Sequence, residues 1–365
     1  MSGSTGSASE RRVPPALQTP VCELFGVELP LVQTGMGWVA GARLTAATSS
    51  AGALGILASA TMTYDQLKGA VSEVRNRTDR PFGVNLRPNH AEIDRFVDLL
   101  IRERVKVASF AQAPSETLVK RLKDTGVVTM PTIAARRHAE KVAAWGVDAV
   151  IAQGHEGGGH TGSVPTSLLL PQVVDTVDIP VIGAGGFHDG RGLVAALAWG
   201  AAGVAMGTRF LLTRESTVPD LVKQRYLEAT VFDTVVTKAI DGVPQRVVLT
   251  TMVEQLDRGP QVARLARALG NALRLRKLTG TPLVSLAREG LAMHRGGEMT
   301  WAQVAMAANA PMLTRATMVE GRLETGILPT GQVVGVIAEV PTVSELVARI
   351  VEEATATLNR LTEPG

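Results

Sequence analysis

One cysteine, two tyrosines and no long apolar run set the first limits on this 365-residue chain. Cys22 alone cannot build an intrachain disulfide framework, and such sparse use of cysteine points to a reducing compartment. Aromatic residues make up 4% of the chain and the formal charge is only +3, which excludes the basic stripes and stacking aromatics of a nucleic-acid surface. The most apolar stretch, residues 193–206, is too short to span a bilayer and is broken by Trp199-Gly200, so no membrane segment is expected. Residues 1–20 are small, polar and proline-bearing with no apolar h-region, the pattern of a disordered tail rather than a secretory signal. A soluble cytoplasmic protein is the expectation. The histidines show no i, i+4 metal spacing, so no catalytic metal is expected.

Glycine, by contrast, is plentiful and clustered. Residues 153–162, 183–186 and 203–208 are glycine-dense and each follows a short apolar run. Glycine lets a backbone approach a ligand closely and turn through positive φ, so that successive N–H groups converge on an anion. Apolar runs at 31–35, 54–59, 82–86, 107–111, 127–132, 149–153, 181–185 and 204–207 alternate with helical patterning at 63–77, 90–103, 115–125 and 134–145. Gly126, Gly146 and Gly200 stand where helix C-caps belong. This alternation predicts an α/β fold, a (β/α)8 TIM barrel whose strand ends form the catalytic face, with a phosphate grip after the last two strands. The rhythm stops near residue 212. The barrel is expected to comprise residues 21–212 and 326–365, closed by a helix at 342–358. Residues 213–325 read as a mainly helical cap or insertion in the C-terminal third.

Residues 32–37, Phe82-Gly83-Val84-Asn85, 153–162, 183–186 and Met206-Gly207-Thr208 together resemble, in order, the motifs of a known family. It is that of the FMN-dependent nitronate monooxygenase and 2-nitropropane dioxygenase-like barrels, which also includes flavin enoyl-thioester reductases. The resemblance runs from about residue 24 to residue 358. It implies FMN as cofactor, with Gly35, Met36 and Gly37 bringing backbone groups against the flavin pyrimidine. It places the Asn85 amide at the isoalloxazine edge and Gln153 on the flavin or its ribityl chain. Backbone N–H groups of Gly185, Gly186, Gly207 and Thr208, with the Thr208 hydroxyl, would hold the phosphate, and Gly158, Gly159 and Met206 complete the cofactor-binding set. Tight turns and satisfied buried amides are the plain alternatives for these residues. His160 matches the family histidine on the substrate side of the flavin and is the catalytic candidate, an imidazole able to act as acid or base toward a carbon-bound proton. His155 and His188 read instead as loop-bonding or surface residues, and Glu156 as an acceptor of loop N–H groups.

Fold alone does not select among the reactions a flavin supports. Thr161 follows the histidine where nitronate monooxygenases commonly carry arginine, and residues 36–40 resemble the matching stretch of enoyl-thioester reductases. Residues 250–253, 293–296, 298–301 and 306–313 look closer still to actinobacterial indanone-carboxyl-CoA dehydrogenases of steroid ring degradation. The resemblance thus implies an FMN oxidoreductase that introduces, or reduces, an α,β double bond in an alicyclic acyl-CoA thioester. NAD(P) or another acceptor is its expected electron partner, and a homodimer is plausible from apolar cap surfaces. Arg274, Arg276 and Lys277 are a candidate grip for the CoA phosphates, with a solvated helix face as the alternative. Nitronate oxidation with O₂, enoyl-thioester reduction and a non-catalytic phosphate-ligand barrel stay open. A purine-nucleotide dehydrogenase is disfavoured, because that chemistry needs a loop cysteine and Cys22 precedes the first strand.

Overall fold

A computed structural model describes residues 13–258 and 309–363. Eight parallel strands close into a barrel: β1 (Leu31–Gln33), β2 (Leu54–Ala58), β3 (Phe82–Leu86), β4 (Val107–Phe110), β5 (Val128–Ile133), β6 (Val150–Gln153), β8 (Val181–Ala184) and β9 (Gly203–Met206). Each overlaps its expected apolar run, and β1 pairs with β9 through Leu31 and Val204 to complete the ring. The remaining short strand, β7 (Gly159–His160), lies in the loop after β6. Strands β2, β3, β4, β8 and β9 are buried at every position, as expected where side chains fill one face and helices cover the other.

The helices among the described residues are α1 (Pro20–Phe25), α2 (Ala42–Ser50), α3 (Tyr64–Arg77), α4 (Ile93–Arg102), α5 (Glu116–Lys123), α6 (Arg136–Ala144) and α7 (Thr166–Val174), then α8 (Gly190–Ala198), α9 (Thr208–Leu211), α10 (Asp220–Leu227), α11 (Thr251–Arg258), α12 (Asn309–Met318) and α13 (Val343–Thr362). Local chemistry sets their ends. Thr63 and Gln66 form a capping box that opens α3, and Thr342 and Glu345 form one that opens α13. None of these helices is long and apolar enough to cross a membrane.

Three features differ from the sequence reading or extend it. The tail expected over residues 1–20 is structured from Val13 onward: Pro15–Leu17 forms a 3-10 turn and Leu17 is fully buried. Next to it, Val21 and Phe25 of α1 join Val32, Ile56, Met130 and Ile182 in one buried cluster, so apolar burial anchors a segment whose composition alone reads as solvated. Second, the region read as mainly helical contains an antiparallel hairpin, β10 (Thr234–Thr237) with β11 (Gln245–Val248). Its β-branched runs flank Asp241-Gly242, and Gly242 sits at φ +87, a turn signal that the helical reading passed over. Strand β11 pairs in turn with β7, giving a small sheet ordered β10-β11-β7. Third, α13 packs on α8 and α2, the place of the barrel's last helix. A short α9 follows β9, and the chain runs through α10, the hairpin, α11 and α12 before it returns.

That return depends on close backbone approach. A Cβ on Gly190 would lie 2.2 Å from the Ala354 nitrogen and 2.3 Å from the Ile350 oxygen, while the Gly190 N–H donates to Glu353 at 2.9 Å. Gly190→Ala is therefore expected to destabilise the fold by about 1–3 kcal/mol through overpacking, read as a lowered urea midpoint with an unchanged m-value.

Candidate active site

A cavity of about 1780 Å³ opens at the carboxyl ends of the barrel strands. It is lined by Gly35, Met36, Gly37, Asn85, Gln153, Gly158, Gly159, His160, Gly185, Gly186, Met206, Gly207 and Thr208, residues from five separate strand ends (β1, β3, β6, β8 and β9) and the β7 segment. Arg274, Arg276 and Lys277 lie outside the described residues. Single-ligand pockets are typically about 300–1,000 Å³, so this one has room for a cofactor and a substrate together.

One side of the cavity is an anion cradle. Gly185 and Gly186 take φ of +94 and +84 in succession, a conformation that L side chains rarely adopt and that turns the backbone N–H groups inward. The N–H groups of Gly186, Gly207 and Thr208 meet no protein acceptor among the described residues. The Thr208 hydroxyl accepts from the Gly331 N–H at 2.9 Å and lies 3.4 Å from the Thr330 hydroxyl, so its own hydrogen can turn to Thr330 or to a ligand. Asn85 donates to the Ser109 hydroxyl at 3.2 Å and packs so closely on Gly35 that a Cβ there would fall 2.4 Å from its own Cβ. Gln153 donates to the His160 carbonyl at 2.8 Å, which leaves its amide oxygen to accept from a ligand. Unfilled backbone donors at one end and half-used amides along the wall fit a phosphate-bearing, hydrogen-bonding flavin. Gly37 contributes no close packing, since a Cβ there meets only open space.

His160 faces the same cavity with its side chain 56% exposed, and its Nε2 lies 2.7 Å from Oδ2 of Asp241, a carboxylate only 6% exposed. The other Asp241 oxygen accepts the Val243 N–H at 3.1 Å. A buried carboxylate at Nε2 keeps the imidazole proton there, so the lone pair of the neutral ring sits on Nδ1. Asp241 was not singled out from the sequence. It is 81 residues from His160, in the hairpin turn, and only the β11–β7 pairing brings the two together.

The neighbouring residues hold loops. The His155 Nδ1 lies 2.8 Å from the Gly162 carbonyl, and Glu156 accepts from both the N–H and the hydroxyl of Thr166 at the start of α7. Buried Arg246 donates to the His155 carbonyl at 3.1 Å and to Thr234 at 3.0 Å, and desolvation lowers its pKa. His188 stands 3.6 Å from Asp189, whose carboxylate caps α8 through the Gly192 N–H.

The rest of the rim has two characters. Near β1 it is apolar, with Met36, Trp38, Leu211, Pro311 and Met318. Trp38 holds a left-handed φ of 65, strained for a bulky residue, and its indole donates to the Pro311 carbonyl at 2.9 Å. Across the ring, after β5, the rim carries Arg137 and Lys141, one turn apart on α6 and both exposed. Neither makes an ion pair among the described residues. His90, on the same rim, is stacked on Phe96 at 4.5 Å. Burial, and secondarily the Arg87 charge, lowers its pKa to about 4.

A family model described as "Nitronate monooxygenase" matches residues 18–96 and 89–353. Fold and site thus define a barrel oxidoreductase, and the chain belongs to the nitronate monooxygenase family, whose members are flavin enzymes. A Mycobacterium tuberculosis protein named (3aS,4S,5R,7aS)-5-hydroxy-7a-methyl-1-oxo-octahydro-1H-indene-4-carboxyl-CoA dehydrogenase is 57% identical over 341 residues, 93% of this chain and 96% of that protein. A protein of the same name from Rhodococcus jostii is 54% identical over 345 residues, 94% of this chain and 98% of its own. Among solved structures, a mutant of FabK from Thermotoga maritima superposes with a TM-score of 0.78 at 34% identity, covering 94% of this chain and 98% of its own. The nitroalkane oxidase of Streptomyces ansochromogenes does so with a TM-score of 0.72 at 28% identity, covering 94% and 99%.

Two outcomes follow from this geometry. Asp241→Asn is expected to lower turnover at least about 10–100-fold by replacing the charged acceptor at Nε2 with a neutral amide that no longer fixes the tautomer, with the flavin spectrum unchanged; steady-state rates and absorbance check both. Because His90 stays neutral in the fold below its unfolded pKa, its stabilising contribution is complete above about pH 6.5 and is lost as pH falls through about 4. His90→Gln should therefore flatten the stability decline between those values in urea titrations at stepped pH.

Proposed function

We propose that the protein is an FMN-dependent dehydrogenase that introduces an α,β double bond into the CoA thioester of a bicyclic, indane-type acid of the kind formed in steroid ring degradation. The observation that carries this reading is the His160–Asp241 pair, whose free Nδ1 opens into a cavity with an anion cradle on one side and an apolar wall on another. The names of the two most similar relatives described above support the substrate class.

In this reading the N–H groups of Gly186, Gly207 and Thr208 and the Thr208 hydroxyl hold the FMN phosphate, and Asn85 and Gln153 fix the ring system. When bound, the flavin supplies a two-electron sink for the hydride that leaves the β-carbon. His160 Nδ1 takes the α-proton, which the thioester carbonyl acidifies. Asp241 then stabilises the imidazolium through Nε2, so the base gains a proton without turning. The apolar rim of Met36, Trp38, Leu211, Pro311 and Met318 suits the ring system of the acyl group. Arg137 and Lys141, with the candidates Arg274, Arg276 and Lys277, supply cations for the CoA phosphates, and NAD(P) serves as the electron acceptor.

A second reading, oxidation of an alkyl nitronate with O₂, is favoured by the family description and by the nitroalkane oxidase neighbour. It needs neither the apolar rim nor the cations. The two are separated by following the flavin absorbance anaerobically. Bleaching by a saturated alicyclic acyl-CoA is expected, while bleaching by a small alkyl nitronate alone would replace the first reading with the second. His160→Ala should retain flavin and slow the acyl-CoA reaction about 10²–10⁴-fold; full turnover in that variant would remove His160 from the chemistry.

A further inference from the structure

Gln245 is the residue of β11 that pairs with His160 of β7. Paired residues of antiparallel strands project to the same face with their Cβ atoms about 4.5–5.5 Å apart. Gln245 therefore stands beside the imidazole on the cavity side, and it lines the same cavity. The next residue, Arg246, points the other way into its contacts with Thr234 and His155. Gln245 is only 2% exposed, yet its amide nitrogen is buried without a hydrogen-bond partner. A buried amide left unpaired is a cost that folded chains rarely carry without a purpose. A half-turn about the Cγ–Cδ bond exchanges the two amide atoms without moving the backbone, so either amide atom can be offered to a ligand at this position.

We infer that Gln245 is a catalytic residue whose side-chain N–H donates to the thioester carbonyl oxygen as the α-proton leaves. The inference rests on the acyl-CoA reading above. In the step, the Cα–H bond breaks and the proton goes to His160 Nδ1. The C–H electron pair becomes the Cα=C bond of an enolate, and the carbonyl π pair moves onto oxygen. That oxygen carries the new charge, and a fixed donor beside the base is placed to stabilise it. Asp241 serves the base and Gln245 serves the oxyanion, and both come from the same hairpin.

The test uses dithionite-reduced holoenzyme in D₂O with cyclohexanecarboxyl-CoA, where the α-proton exchanges without net oxidation and deuterium uptake is read by mass spectrometry. Gln245→Glu keeps the shape and removes the donor, and Gln245→Met keeps the volume. Both are expected to slow exchange about 10²-fold, with the half-saturating thioester concentration, flavin content and melting temperature unchanged. Wild-type exchange in either flavin-loaded variant overturns the proposal, as does a loss explained entirely by weaker thioester binding. If the wild-type enzyme itself exchanges no α-proton, the acyl-CoA reading falls and the role of Gln245 falls with it; exchange in wild type and variants alike overturns only the latter.

Discussion

The site depends on one short piece of β-structure, the antiparallel pairing of Gly159 and His160 with Arg246 and Gln245. Two residue pairs are a small amount of sheet, but they fix the position of a loop that carries the proposed base. They also bring the hairpin turn within reach, so that Asp241 closes on His160. Without that register the imidazole would have no fixed tautomer, and the exposed ring would rotate freely in a polar loop. A conformation so specified is what a proton transfer needs, because reacting atoms must be held near attack distance.

Around that pairing the glycine loop is held from several sides. A Cβ on Gly158 would meet the Thr330 carbonyl carbon at 2.4 Å, and one on Gly157 would meet the Gln153 amide nitrogen at 2.7 Å. The Gln332 N–H donates to the Glu156 carbonyl at 2.9 Å, while the Glu156 carboxylate is tied to the start of α7. Gly331, in the same returning segment, donates to the Thr208 hydroxyl. The anion cradle, the glycine loop and the C-terminal return are therefore one packed unit. Glycine serves there by allowing close approach at Gly157 and Gly158, and by its freedom in φ at Gly159, Gly185 and Gly186.

The barrel arranges ligands by topology. In a ring ordered β1-β2-β3-β4-β5-β6-β8-β9, the β5 end lies opposite β1. The cationic rim on α6 thus faces the apolar rim around Trp38 across the mouth, with His160, after β6, on the arc between β5 and the cradle. A long substrate with an apolar ring at one end and phosphates at the other matches that division better than a small nitronate does. The polarity comes from which loops carry which residues, and the parallel barrel beneath is indifferent to it.

Much of this was legible in residue order. The eight apolar runs, the C-cap glycines and the three glycine clusters specify the barrel, because period and turn chemistry are local properties. The expected cofactor residues and His160 line a single cavity because each sits at a strand end, and strand ends of a parallel barrel share a face. The hairpin is harder to see in the sequence, because its β-branched runs around Asp241-Gly242 are short and lie between helical segments. The burial of Leu17 comes from packing that composition does not show. Fold class, family and strand-end residues can all be read from local pattern and residue order. The approach of Asp241 to His160, with Gln245 beside them, comes from folding alone, because a carboxylate, an amide and an imidazole far apart in sequence become one site through a strand pairing that no local pattern encodes.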